Sequence, residues 1–284
     1  MSQELARFLL AAGYTADAGG NVNYLLFVDS AKSFLNCQHW KGDTLAKQEL
    51  LVESVRPNST AAYFVTPSEK LVICITPSSN LTSYIYDTDD REWVEVDDSP
   101  LSNYAVHASG KLAGSLDDTG RVHIFFQDSS QRLISLISID DEWTSTTLPG
   151  SAVSGTPISV LSSKDGLLVY YISDTDNFIH VAIQGPDGTW RDSAASEYTF
   201  IEEIKAFCIG KDEFFVLTSN NALLKITTKG DKTALGTVKN GKFVPETVEE
   251  AGFSVSWYSW SGCGNAEYPG YSGIGGTADR YRRW

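Results

Sequence analysis

The densest concentration of chemically useful side chains is WYSWSGCGNAEYPGYSGIGGTADRYRRW, where Trp257, Tyr258, Trp260, Tyr268, Tyr271, Tyr281 and Trp284 are interspersed with six glycines. Rings separated by glycine can line an adaptable apolar pocket and supply hydroxyl and indole donors. On this reading Trp257, Tyr258 and Trp260 stack on a small organic substrate, and Tyr268 or Tyr271 closes the mouth. His107 or Arg121 polarises a carbonyl or phenolic oxygen. Such a pocket suits a cyclisation or cycloaddition, which needs orientation and a few hydrogen-bond donors but neither a nucleophile nor a cofactor. The competing reading makes Trp257 and Trp260 inner-strand packing and the remainder a tied-down terminus.

Other chemistries find less support. His39, His107, His123 and His180 fall in different strands, Cys37, Cys74, Cys208 and Cys263 form no CxxC pair, and neither set suggests a metal centre. No GxSxG or HExxH motif occurs. Gly273-Ile274-Gly275-Gly276 lacks the Lys-Ser or Lys-Thr of a phosphate loop. Asp87-Thr88-Asp89-Asp90 and Asp174-Thr175-Asp176-Asn177 lack the glycine and distal glutamate of a calcium loop, and read as turns.

The elements that must position these residues are strands. Short runs rich in Val, Ile, Phe and Tyr centre on Phe27, Ile73, Ile124, Val169 and Phe215, at spacings of 46, 51, 45 and 46 residues. Each is followed by a polar turn and a third strand. Trp40, Trp93, Trp143 and Trp190, 53, 50 and 47 residues apart, give an independent check, and Phe243 takes the corresponding slot 53 residues later. Inner strands are assigned to RFLLAAGY, TAAYFVT, YAVHASG, PISVLSS, IKAFCIG and FSVSWYSW, which puts His107 beside a central channel. Four strands per unit of about 45 to 50 residues is the signature of a β-propeller blade. The expectation is a single all-β propeller domain, residues 1–284, of four-stranded antiparallel blades. Its units run roughly 7–55, 56–100, 101–150, 151–197 and 198–248, with an incomplete sixth at 249–284; the alternative is five blades plus a C-terminal tail.

Composition sets limits on partners. Of 284 residues, 36 are acidic and 22 basic, a formal charge of -14, so phosphate backbones and anionic membrane surfaces would be repelled. Nucleic acid and membrane are both excluded on this reading, since apolar runs such as 24–28 and 167–172 fall far short of the ~20 residues of a spanning helix. MSQELARFLLAAGY lacks the basic start of a secretory signal, which makes the cytoplasm the expected location and the cysteines reduced, three of them in strand cores.

The pattern of RVHIFFQDSSQRLISLISIDDEWTS and LLVYYISDTDNFIHVAIQGPDGTWRD is similar to the blades of fungal fucose-specific lectins, which are six-bladed propellers. That resemblance implies sugar sites between blades, each with an Arg at the start of the second strand, a Glu in the third, and stacking aromatic rings. The Arg slot is kept once, as Arg121; the other units hold Tyr24, Lys70, Gly166 and Asp212. The Glu slot reads Asn36, Ser83, Ser135, Val181 and Lys225. The scaffold is therefore lectin-like with its fucose residues largely lost. Three function classes follow: a fungal cofactor-independent cyclase or Diels-Alderase of natural-product biosynthesis, acting on a small organic substrate; a glycan-binding lectin; and a protein-interaction propeller. The first is preferred, because erased sugar sites coincide with the aromatic segment.

Overall fold

The computed structural model describes residues 3–17, 20–66, 69–117, 119–139, 142–163 and 166–246. A helix, α1 (Gln3–Leu10), precedes five antiparallel sheets arranged as blades in a ring. The first blade is β1 (Gly13–Ala16), β2 (Asn23–Asp29), β3 (Phe34–Lys41) and β4 (Thr44–Val52). The second is β5 (Ala62–Val65), β6 (Lys70–Ile75), β7 (Leu81–Asp87) and β8 (Glu92–Glu95). The third is β9 (Leu112–Leu116), β10 (Val122–Gln127), β11 (Leu133–Ile139) and β12 (Glu142–Thr147). The fourth is β13 (Ser159–Ser163), β14 (Gly166–Ile172), β15 (Ile179–Gln184) and β16 (Trp190–Ala194). The fifth is β17 (Ile204–Ile209), β18 (Glu213–Thr218), β19 (Ala222–Thr227) and β20 (Lys232–Lys239), extended by β21 (Lys242–Pro245). The described residues thus form a five-bladed propeller, and the incomplete sixth unit at 249–284 lies outside them.

Position in the ring explains the sequence of each strand. Second and third strands are sandwiched by neighbouring blades, so β6 and β10 read as near-continuous apolar runs with both faces buried. Outer strands keep one face in water, and β12 and β16 are mostly exposed polar residues. The acid excess sits largely in the turns. Asp117 Oδ1 accepts from the backbone N–H of Thr119 at 2.9 Å and of Arg121 at 3.0 Å, and Asp128 Oδ1 does the same for Ser130 and Arg132, both at 2.9 Å. Asp87 likewise caps its own turn at the N–H groups of Asp89 and Asp90. Cys37, Cys74 and Cys208 are buried in β3, β6 and β17, none of them in a disulfide.

Three sequence assignments are corrected. RFLLAAGY is not an inner strand: residues 3–10 are helical, because Leu5, Ala6, Phe8 and Leu9 form one apolar stripe and the run has no β-branched residue. YAVHASG is not one either. Ala105 and Val106 make single bridges to Asn80 and Asp128, and β9 takes the inner place, where a Cβ on Gly114 would stand 2.6 Å from Phe64 Cζ. Trp40 lies in the third strand of its blade, and Trp93, Trp143 and Trp190 open outer strands, both as the sequence implies. Phe243 belongs to the additional strand β21 and not to a fourth strand.

Among the described residues, the space between the fifth and first blades is filled by α1. Leu5, Ala6 and Leu9 are buried against Phe215, Leu217, Leu223 and Val238 of the fifth blade. On the other side the Arg7 guanidinium lies 3.9 Å over the Trp40 ring of the first. No helix among the described residues is long and apolar enough to cross a membrane.

Candidate functional site

The five gaps of the ring differ in chemistry. The gap between second and third blades is closed by Ile73, Ile75, Ile124, Phe126 and Leu136, and that between fourth and fifth by Ile172, Ile179, Phe214, Val216 and Leu224. The first and third gaps also have apolar centres, but they carry charged groups at the end where the second strands begin.

In the first gap, strand register decides what faces the neighbour. Residues paired across a sheet project to the same side, and residues two apart on a strand share a face. Tyr24 pairs with His39, His39 with Lys47, and Cys37 with Glu49, so one face of the first blade presents all five. Across from it stand Tyr63, Lys70, Tyr84, Tyr86 and Trp93, with Tyr86 paired to Trp93. The rings form an edge-to-face series that crosses the gap. Centroid separations are 4.8 Å for His39 to Tyr24, 5.6 Å for Tyr24 to Tyr63, 5.8 Å for Tyr63 to Trp93 and 5.4 Å for Trp93 to Tyr86. Lys70 Nζ lies 4.8 Å from the Tyr86 ring centroid.

Outside this series the gap opens into a groove of about 620 Å³, lined by Lys47, Glu49, Tyr84, Tyr86, Arg91 and Trp93 among others. Glu49 anchors its polar wall. His39 Nε2 donates to Oε1 at 3.0 Å and Lys47 pairs with Oε2. Burial pushes the Glu49 carboxyl up, but the bonds from Lys47 and His39 outweigh it and hold the group below the usual carboxylate range. Burial pushes the Cys37 thiol up to about 12, helped by the Glu49 charge. The Tyr63 phenol is raised chiefly by burial, with the Glu49 charge adding to it, and its buried hydroxyl has no hydrogen-bond partner among the described residues.

The third gap carries a smaller polar group. Arg121, immediately before β10, pairs through Nε with Asp117 Oδ2 at 2.8 Å, and His123 Nε2 stands 3.2 Å from the same oxygen. Burial works against the Asp117 carboxylate, yet hydrogen bonds from Thr119, Arg121 and His123 hold it down at about 2. Toward the other end of that gap, beside the β14–β15 turn, Asp192 accepts from Tyr171 Oη at 2.6 Å and from His180 Nδ1 at 2.9 Å, while His180 Nε2 faces Asp176 at 3.0 Å. Both ring nitrogens address carboxylates, so the imidazolium is favoured; burial lowers the His180 pKa, but the two carboxylates raise it by more. The resulting stabilisation is complete below the ordinary histidine value near ~6.5 and fades as pH rises through the higher folded value. His180→Gln is therefore expected to cost about 2 kcal/mol at pH 6, the worth of a charge-assisted hydrogen bond, and clearly less at pH 9. Urea unfolding of both proteins at the two pH values checks this; an equal loss at both would remove the charge from the explanation.

The sequence-derived site residues are dispersed. His107 lies in a turn and not on a channel strand, with its ring Nδ1 3.1 Å from Ser109 Oγ and its backbone N–H bonded to Gln127 O. Gln127 ends β10 and Arg121 stands just before its start, six residues or about 20 Å along the strand, so His107 and Arg121 do not share a site. Trp257, Tyr258, Trp260, Tyr268 and Tyr271 lie outside the described residues. The Arg-slot residues do stand where second strands begin, and Lys70 in that slot joins the first groove. Sequence reasoning missed Cys37, His39 and Glu49. The signal was present in part, since Cys37 and His39 are two apart on a strand and must share a face.

No protein-family model matches the chain, and no curated protein matches it. Among solved structures it is similar to AofleA from Arthrobotrys oligospora, at 16% identity over 82% of this chain and 73% of that one, with a TM-score of 0.60. It is also similar to the six-bladed, fucose-recognising lectin of Aleuria aurantia, at 18% identity over 82% and 80%, TM-score 0.54. A luciferin-regenerating enzyme matches at 12% identity over 83% and 78%, TM-score 0.51. At these identities the likeness establishes a shared propeller fold, and the resemblance to fungal fucose lectins holds at that level.

Proposed function

We propose that this lectin-like propeller binds a small carbohydrate in the groove between its first and second blades. The observation that carries the reading is the pair of groove-lining rings Trp93 and Tyr86, backed by Tyr63 and Tyr24, set against Glu49 and Lys47, with Lys70 over Tyr86. A sugar offers an apolar face to a flat ring and hydroxyls to charged partners, and the groove has both at the end where the second strands begin. The Aleuria aurantia lectin recognises fucose. In this chain a lysine stands in the arginine slot, and the nearby carboxylate comes from the fourth strand instead of the third, so the preferred sugar is expected to differ from fucose.

A glycan array followed by calorimetry with the best ligand and with methyl fucoside tests this. Trp93→Ala is expected to weaken binding at least tenfold, the loss of one stacked aromatic contact being worth about 1–2 kcal/mol. Binding untouched by Trp93→Ala but lost in Arg121→Ala would move the site to the third gap and overturn the assignment. The second reading is the cofactor-independent cyclase or Diels-Alderase. It is favoured by the same arrangement, because a ring-lined groove with Lys47, Lys70 and Arg91 as cations would also orient a conjugated ketone. Turnover of a polyene or phenolic substrate with no glycan binding would select it.

A further inference from the structure

The first blade brings together a donor set that sugar binding does not require. Cys37 Sγ, a ring nitrogen of His39 and a carboxylate oxygen of Glu49 all lie within 4.8 Å of one another. We propose that these three residues bind a divalent transition-metal ion of the zinc class behind the wall of the groove that Glu49 forms. The proposal does not depend on the carbohydrate reading, since metal uptake and glycan binding are measured separately.

Three arguments support it. A thiolate, an imidazole and a carboxylate are the donors zinc takes in protein sites, whereas magnesium and calcium take oxygen alone. The ligands are pre-placed by a hairpin: Cys37 and His39 share a strand face, and Glu49 is the cross-strand partner of Cys37. Charge also balances, because a dication neutralises one thiolate and one carboxylate. Binding breaks the S–H bond of Cys37, and that proton leaves to solvent as the metal–sulfur bond forms. Glu49 can ligate through Oε1 while Oε2 keeps Lys47, so the lysine becomes an orienting outer partner instead of a competitor.

An independent observation points the same way. Tyr63 is 3% exposed, packs in the same buried cluster as Cys37, and its hydroxyl has no partner among the described residues. Buried unpaired hydroxyls are costly and uncommon. An ion at Cys37, or a water bound to it, would supply the missing partner. Three protein ligands leave a fourth position for water or for an oxygen of a bound molecule.

The test uses the full chain, stripped with a chelator and titrated with Co²⁺. One equivalent is expected to bind with a thiolate-to-cobalt charge-transfer band and intense tetrahedral d–d bands, to be displaced by Zn²⁺, and Zn²⁺ is expected to raise the thermal midpoint. Cys37→Ser should abolish the charge-transfer band, and His39→Gln and Glu49→Gln should each weaken affinity at least tenfold. Near-UV circular dichroism controls for folding, and Glu49→Gln, at the groove wall, keeps the test decisive where Cys37→Ser misfolds. No band and no thermal shift with millimolar Zn²⁺ would overturn the site. So would a band that survives Cys37→Ser or disappears in Cys263→Ser.

Discussion

Replacing Leu5 with aspartate, or deleting residues 1–10, is expected to abolish cooperative unfolding of the whole propeller, although the lesion is confined to eight helical residues. Leu5 and Ala6 are fully buried and Leu9 is 4% exposed, all against the fifth blade. Gln3 clamps the β20–β21 hairpin, donating from Nε2 to Gly241 O at 2.7 Å and accepting at Oε1 from the Phe243 N–H at 2.8 Å. Arg7 reaches the first blade through Trp40 and a 2.5 Å ion pair with Asp43. One short helix therefore bonds to both ends of the described ring. Leu5→Ala should cost ~2–5 kcal/mol as a large-to-small core change. Leu5→Asp adds an unpaired buried charge and should consume most of the ~5–15 kcal/mol typical of a folded domain. Thermal unfolding and size-exclusion chromatography measure the outcome; a midpoint within a degree or two of wild type would show that α1 does not close the ring.

Gly150→Ala should be the second severe change, with a predicted loss of about 3–5 kcal/mol from left-handed strain and a lost charge-assisted hydrogen bond. Its φ is +88°, and a Cβ there would fall 1.9 Å from Tyr171 Oη. That hydroxyl cannot retreat cheaply, because the Tyr171 side chain is fully buried and holds Asp192 at 2.6 Å. Gly188, at φ +78° with nothing within 4 Å of the added carbon, isolates the backbone contribution, so Gly188→Ala should cost only about 1 kcal/mol. In a Tyr171→Phe background the clash is relieved, and Gly150→Ala should fall toward the Gly188→Ala value. Urea unfolding of the wild type and the four variants tests the series, and equal losses for the two glycines would refute the packing argument.

The legible and illegible parts of this chain divide along the range of the interactions. Blade period, hairpin centres, capping aspartates and the outer-strand starts of Trp93, Trp143 and Trp190 are local features, and each was readable from residue types. RFLLAAGY is too short for period 2 and period 3.6 to separate on composition, and its helical state is settled by the fifth blade against which Leu5 and Leu9 pack. YAVHASG looks like a strand because Tyr, Val and His favour strands, but its bridges to Asn80 and Asp128 use it as a connector. The site was half visible. Cys37 and His39 follow from strand geometry, but the pairing of Cys37 with Glu49 depends on register shifts between Leu35 and Asn36 and between His39 and Trp40 that composition does not disclose. The approach of Trp93 to Tyr63 joins the outermost and innermost strands of the second blade, which do not pair, only through side-chain packing at the gap.

The unequal chemistry of the five gaps has a consequence for what binding would accomplish. A ring with the same ligand pocket at every gap is multivalent: it bridges cells or glycoproteins, and its apparent affinity grows through avidity. Here the ring-and-ion groove stands at one gap, apolar clusters close two others, and α1 fills the space between fifth and first blades. If the groove binds sugar as proposed, the described residues offer one such site, and the expected outcome is silence in haemagglutination and precipitation with a one-to-one isotherm in calorimetry.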